Sequence, residues 1–217
     1  MSLARKSYDA AGLAAGLLDD VKVHCRVDFD DDDDYLEKAT ARAIGLIERT
    51  TSFAIAPATW LWDPPGLAPN PFSMSIGAGG RSMEGLNRCT CRGAEGWPGL
   101  QLPVCPVSKF TAELTPADNS GAVDVTSSYQ LVGTLDPSQF ERQWLVVKPG
   151  VTVAPGSVTV TLTAGYADAG ELAPGVADIV LRMTAHLYEN REFASIEGFD
   201  VLAYAASIST GLWIPSC

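Results

Sequence analysis

Apolar positions along the chain recur first at helical spacing, then at every second residue, then at helical spacing again. In 17–26 (LLDDVKVHCR), Leu17 and Val21 fall on one face with His24 or Cys25 beside them, which predicts a short amphipathic helix. In 35–51, Leu36, Ala39, Ala43, Leu46 and Ile47 recur at helical spacing, while Glu37, Lys38, Arg42, Glu48 and Arg49 take other positions. A second helix is expected there, with Asp32 or Asp33 as its cap and nearby acids complementing its dipole. The third begins at Pro174, a first-turn proline, with Asp178 just inside. Its stripe is Val176 or Ala177, Val180, Leu181, Thr184, Leu187 and Tyr188, ending near Glu192. Residues 199–206 form a candidate for one more short helix.

Between these segments the period is two. Strands are expected at 59–62, 100–104, 109–115, 129–132, 143–148 and 158–164, the last (VTVTLTA) with the cleanest alternation. Pro116, Pro137, Pro149-Gly150 and Pro155-Gly156 punctuate the gaps. Residues 64–96 carry seven Gly and four Pro in 33 residues with no sustained period, the pattern of a long loop.

The helices at the two ends must cover each other, because neither can bury its stripe alone. The expectation is an α+β fold. A small helical bundle core comes from the N- and C-terminal helices and carries a β-rich insertion. Its parts are the N-terminal helices of the core (1–57), the β-rich insertion (58–165, with the loop 64–96), the long C-terminal helix (166–198) and a tail (199–217).

Composition narrows the function classes. The chain has 217 residues, 47% of them hydrophobic and 19% charged, with 26 acids against 15 bases and a formal net charge of −11. That excludes a disordered chain, a collagen-like fibre and a coiled coil. It also argues against a protein that wraps nucleic acid, which needs clustered Lys and Arg to neutralise phosphates. No run reaches the roughly 18–20 apolar residues of a membrane-spanning helix. The apolar stretch 10–18 after Arg5 and Lys6 is not a good secretory signal, since Asp9 precedes it and Asp19 and Asp20 close it. Five cysteines, an odd number, do not indicate a disulfide framework, and a reducing compartment is the default.

Candidate chemistry is sparse. The acidic loop Asp28, Asp30, Asp31, Asp32, Asp33 and Asp34 prompts a test for calcium. An EF-hand loop needs Gly at its sixth position and Glu at its twelfth. Starting at Asp28 these are Asp33 and Ala39, and starting at Asp30 they are Tyr35 and Ala41. A solvated loop that charges the next helix fits better. Cys89-Thr90-Cys91 with Cys105 lacks the second ligand pair of structural zinc sites. His24 and Cys25 are adjacent on a helix and point about 100° apart, so they make no nucleophile–base pair. Gly77, Gly79 and Ser82 break the dinucleotide pattern, and neither a GxSxG elbow nor a phosphate-binding Gly-Lys-Ser/Thr occurs. No catalytic, cofactor-binding or metal residue is therefore expected. The apolar run Leu212-Trp213-Ile214 either folds back or docks on a partner.

Two blocks resemble a known family. In the first, Val21, Lys22, His24, Arg26, Val27 and Asp28 follow a "VK-x-H-L-R-V-D" phrase, with Cys25 for Leu. Glu48 and Thr51 follow an "E-x-x-T-x-R-x-L" phrase, with Phe53 for Arg. In the second, Thr163, Ala164, Gly165 and Tyr166 follow a strand-ending "T-Y-x-A-G-Y" turn. Pro174, Ile179, His186, Tyr188, Glu189, Asn190 and Arg191 follow a helix ending "A-H-x-Y-E-N-R-E". Both blocks resemble the head–tail connector, or portal adaptor, proteins of long-tailed bacteriophages and related gene-transfer agents. The loop 64–96 is longer than the family's usual connection, and the tail lacks the common "L-L-x-P-Y-R" ending.

The resemblance implies a structural virion protein and no enzyme. It implies a homo-oligomeric ring, typically of twelve, at the head–tail junction between the portal protein and a tail or head-completion (stopper) protein. DNA would pass through the channel without specific binding, and assembly would take place in the bacterial host cytoplasm. An acidic channel wall would let the duplex slide. The tail residues Ile208, Leu212, Trp213 and Ile214 are the expected portal contact. The matched residues His24, Arg26, Asp28, Tyr166, His186, Tyr188, Glu189, Asn190 and Arg191 are expected to be structural, with Arg191 pairing to an acid across helix turns or subunits. The alternatives are a neighbouring stopper protein and, from other classes, a β-rich ligand-binding module or a thiol-dependent enzyme.

Overall fold

A computed structural model describes residues 2–51, 53–64, 99–118, 120–133, 143–148, 151 and 156–191. Four helices build one core: α1 (Ala10–Gly16), α2 (Leu18–Cys25), α3 (Asp33–Thr51) and α4 (Pro174–Glu189). α3 packs along α4, and α1 and α2 close the bundle. The buried stripe of α3 is Leu36, Ala39, Ala43, Ile44 and Ile47, and that of α4 is Val176, Val180, Met183 and Leu187. Both differ slightly from the sequence expectation. Ile44 and Met183 are buried, whereas Leu46, Leu181 and Tyr188 are only half-buried. The polar residues within these stripes are satisfied locally: the hydroxyls of Thr40, Thr51 and Thr184 donate to Leu36, Ile47 and Val180 carbonyls at 2.8–2.9 Å.

The stretch 10–18 belongs to this core. Leu13 and Leu17 are 3% and 1% exposed, so they contribute as much as any residue of the longer helices. Asp9 is an N-cap whose Oδ1 accepts from the Gly12 N–H at 2.8 Å. The predicted helix 17–26 is the second half of a broken pair, with α2 starting at Leu18.

The strands are β1 (Ser2–Tyr8), β2 (Ala58–Asp63), β3 (Gly99–Gln101), β4 (Val107–Pro116), β5 (Val123–Asp124), β6 (Tyr129–Val132), β7 (Trp144–Val147) and β8 (Gly156–Ala164). They form a five-stranded sheet, β1-β2-β8-β4-β5, and a three-stranded sheet, β3-β7-β6, antiparallel throughout. β8 buries Val158, Val160, Leu162 and Ala164 in alternation, as its sequence predicts. β1 carries no alternation and was not expected. It pairs edge-on with β2, from Ser2 opposite Asp63 to Tyr8 opposite Ala58. β3 stops at Gln101, short of the expected 104, and Pro103 lacks the N–H to continue the ladder. The buried Gln143 joins the strands across a gap. Its Oε1 accepts from the Val107 N–H at 2.7 Å and its Nε2 donates to the Val107 carbonyl at 3.2 Å. The α+β class is as expected from the sequence. The expected loop 64–96, except Pro64, the helix 199–206 and the tail lie outside the described residues.

The helical and β cores meet at 53–57. Phe53 and Ile55 belong to the helical cluster and Ala54 to the β cluster. The Tyr166 N–H donates to the Ile55 carbonyl at 3.0 Å, and the Gly165 N–H to the Pro106 carbonyl at 3.0 Å. Gly165 has φ +90°, and a Cβ there would lie 2.1 Å from the Ala56 carbonyl oxygen. Only glycine satisfies both conditions. Gly165→Ala is therefore expected to lose at least about 1–3 kcal/mol through backbone strain alone. Urea unfolding measures it, and a change below ~0.5 kcal/mol would show that the close approach is dispensable.

Candidate functional site

The acidic loop and the end of α4 form one site. α2 ends at Arg26, whose left-handed conformation (φ 57°, ψ 42°) turns the chain back. The Val27 N–H bonds the Lys22 carbonyl at 2.9 Å. Residues 28–34 then fold over Lys22, whose ammonium pairs with Asp30 at 2.6 Å and Asp33 at 2.8 Å. These two carboxylates raise the Lys22 pKa, and Lys22 holds the Asp30 carboxyl below its ordinary range.

Asp32 faces the other way. Its Oδ2 accepts from the Tyr188 hydroxyl at 2.6 Å and from the Arg191 guanidinium at 2.5 Å. The guanidinium lies 4.6 Å from the ring centroids of both Tyr35 and Tyr188. These rings are 6.0 Å apart and tilted by 54°. The Tyr35 hydroxyl donates to the Leu187 carbonyl at 3.3 Å. A carboxylate, a cation and two aromatic rings thus tie the start of α3 to the end of α4. The Tyr188 hydroxyl, then Arg191, lowers the Asp32 pKa, and Asp32 in turn raises those of Tyr188 and Arg191.

Two expectations are corrected by this arrangement. Asp32 does not cap α3 with its side chain: its carbonyl accepts the Leu36 N–H at 2.9 Å, while its carboxylate turns to α4. Within the chain, Arg191 pairs not across a helix turn but with an acid 159 positions away. The remaining matched residues are dispersed. His24, Arg26 and Asp28 are exposed around the α2 turn. Tyr166 is buried at the junction of the cores, its ring 6.4 Å from Phe53, and burial pushes its hydroxyl up to about 12. Asn190 donates to the His186 carbonyl at 2.9 Å and ends α4. Burial lowers the His186 pKa and Glu189 opposes that shift. Cys105 is buried, and Cys89, Cys91, Ile208, Leu212, Trp213 and Ile214 lie outside the described residues. Among the described residues, no three His, Cys, Asp or Glu side chains gather as a metal would require.

Glu48 has a larger role than its helical position indicates. Its Oε1 accepts from the Ile55 and Ala56 N–H groups, both at 2.8 Å, and its Oε2 lies 3.6 Å from Arg5. Arg5 stacks 3.9 Å from the Tyr8 ring centroid. Burial raises the Glu48 pKa, and the two backbone donors, Tyr8 and Arg5 pull against that rise. Glu48 therefore fixes the connection between α3 and β2 and holds β1 beside it. The signal for this was present in the "E-x-x-T" phrase, but the partner strand had no sequence pattern of its own.

Residues 16–74 match the model of the phage gp6-like head-tail connector protein family. This is the family that the two sequence blocks resemble. The matched segment includes α2, the acidic loop, α3, Glu48 and β2. No curated protein matches the chain. Three solved structures share the fold over 100% of this chain and 98% of theirs. They come from the virion of a native gene transfer agent particle (TM-score 0.61, 20% identity), the neck of an empty particle computed with C6 symmetry (0.59, 19%) and the neck of a native particle computed with C12 symmetry (0.56, 19%).

The Asp32 site gives a pH signature. Its pKa is lower in the folded chain than its ordinary 3.8, so its stabilisation is present above that value and is lost as pH falls through the folded one. Asp32→Asn and Tyr188→Phe should each lower the melting temperature at pH 7, and together by less than the sum. Asp32→Asn should also flatten the acid limb of stability. Additive effects in a double-mutant cycle would show that the two side chains do not act together.

Proposed function

We propose that the chain is a structural head–tail connector subunit, assembled as a ring, of twelve copies, between a portal protein and the tail or head-completion proteins. The observation that carries this reading is the coincidence of two comparisons. A connector family model covers the loop-and-helix segment, and the whole chain shares its fold with proteins of gene transfer agent particles, including a neck computed with C12 symmetry.

The physical features support the role. The Asp32 site and the Glu48 anchor are ties within the chain, built from hydrogen bonds and ion pairs. Such a subunit keeps its shape while neighbours load it. The net charge of −11 suits a channel past which DNA slides without sticking. The ring would sit at the head–tail junction of the virion after assembly in the host cytoplasm. In this reading the parts divide at 57/58, 165/166 and 198/199, and the tail residues Ile208, Leu212, Trp213 and Ile214 dock on the portal.

Truncation before Ile208 tests the docking role. The shortened chain should keep its melting temperature within about 2 °C, because a change well below 1 kcal/mol shifts a domain of this size that little. It should lose binding to portal assemblies in a sedimentation assay. Undiminished portal binding would remove the tail from the mechanism. Binding to the adaptor ring and not to the portal would assign the chain to the stopper position.

A further inference from the structure

α3, β1 and β2 enclose a groove of about 780 Å³ that the ties described above leave open. Leu46, Phe53 and Trp60 are among its apolar walls, and Arg5, Arg42 and Arg49 line it as well. Arg5 is engaged by Glu48. Arg42 and Arg49 are exposed and make no ion pair among the described residues. The Trp60 indole N–H is buried with no acceptor among those residues. An occupant of this groove should therefore be apolar or aromatic at its centre and anionic around it, with an acceptor for the indole.

The acidic loop has that composition. Phe29 is 49% exposed, a large apolar side chain left in water between acids. Asp30, Asp32 and Asp33 are taken by Lys22, Tyr188 and Arg191. Asp28, Asp31 and Asp34 are exposed and make no ion pair among the described residues. The loop does not line the groove of its own chain. The groove-lining positions of α3 run from 41 to 49, seven to fifteen residues beyond Asp34 and so roughly 10–22 Å along the helix. Loop and groove sit toward opposite ends of one rigid element. Such a pair joins copies head to tail, the heterologous contact that closes into a ring when the rotation allows.

We propose that the groove receives the Phe29 loop of a second copy of this chain, with Phe29 against Leu46, Phe53 and Trp60 and its flanking acids on Arg42 and Arg49. This rests on the ring reading and names the contact that would build the ring. Because the paired charges are at the surface, association weakens as salt rises.

The test uses the full chain and sedimentation equilibrium, with thermal unfolding to check that each variant folds. Phe29→Ala, the pair Arg42→Glu/Arg49→Glu, and the pair Asp31→Lys/Asp34→Lys should each weaken self-association about tenfold or more, the size of effect reported for close interfacial charge pairs. The variant carrying all four charge reversals should regain association, because the contact is again complementary. Self-association of the wild-type chain with no effect of the reversals would overturn the groove contact and leave the ring reading standing. A wild-type chain that stays monomeric at every concentration would overturn both. Association insensitive to groove charge but lost on removing residues 199–217 would give the groove to the chain's own carboxy-terminal segment instead.

Discussion

One carboxylate, Asp32, holds together parts of the chain that lie 156 and 159 positions apart in sequence. It sits where the acidic loop turns into α3, and it binds Tyr188 in the last turn of α4 and Arg191 just beyond it. Without it, α3 and α4 would still share an apolar stripe. Stripes fix which faces meet, but they are tolerant of sliding and rotation. A charged hydrogen bond between two aromatic rings has a single geometry. It sets the register of the two long helices, and α1 and α2 pack against the pair so defined. The same loop carries Lys22 with Asp30 and Asp33 on its other side. The acids of this segment are thus divided between ties within the chain and three carboxylates left in solvent.

The second constraint lies where the helical and β layers join. Glu48 binds the N–H groups of Ile55 and Ala56, and a Cβ at Gly165 would lie 2.1 Å from the Ala56 carbonyl oxygen. Glu48 holds, and the bare Cα of Gly165 leaves room for, the same few residues between α3 and β2. The helical core and the sheet are therefore joined through a short segment held by several hydrogen bonds.

The helices and most strands were legible because their periods are clean. α3, α4 and β8 each bury one face, and the spacing of Leu36, Val180 or Val160 records that directly. β1 was not legible. Its side chains are exposed up to Tyr8, so nothing in SLARKSY distinguishes the faces, and only its pairing with β2 makes it a strand. α1 was obscured for a different reason: small residues give it little contrast, and its one leucine, the buried Leu13, looks like part of a longer apolar run. The site was half legible. Tyr188, Arg191 and the acidic run each stood out, yet the partner of Arg191 could not be read, since a contact across 159 positions leaves no local trace. Glu48 stood out as part of the E-x-x-T phrase, but its role did not, because the backbone N–H groups it binds have no side-chain identity.

Electron cryo-microscopy of the assembled neck, with the chain identified by a bound antibody fragment, addresses the central claim most directly. A closed ring of copies of this chain at the head–tail junction, its lumen on the DNA axis, is the predicted result. Particles in which the chain is absent from that junction, or present there as a single copy, would contradict it.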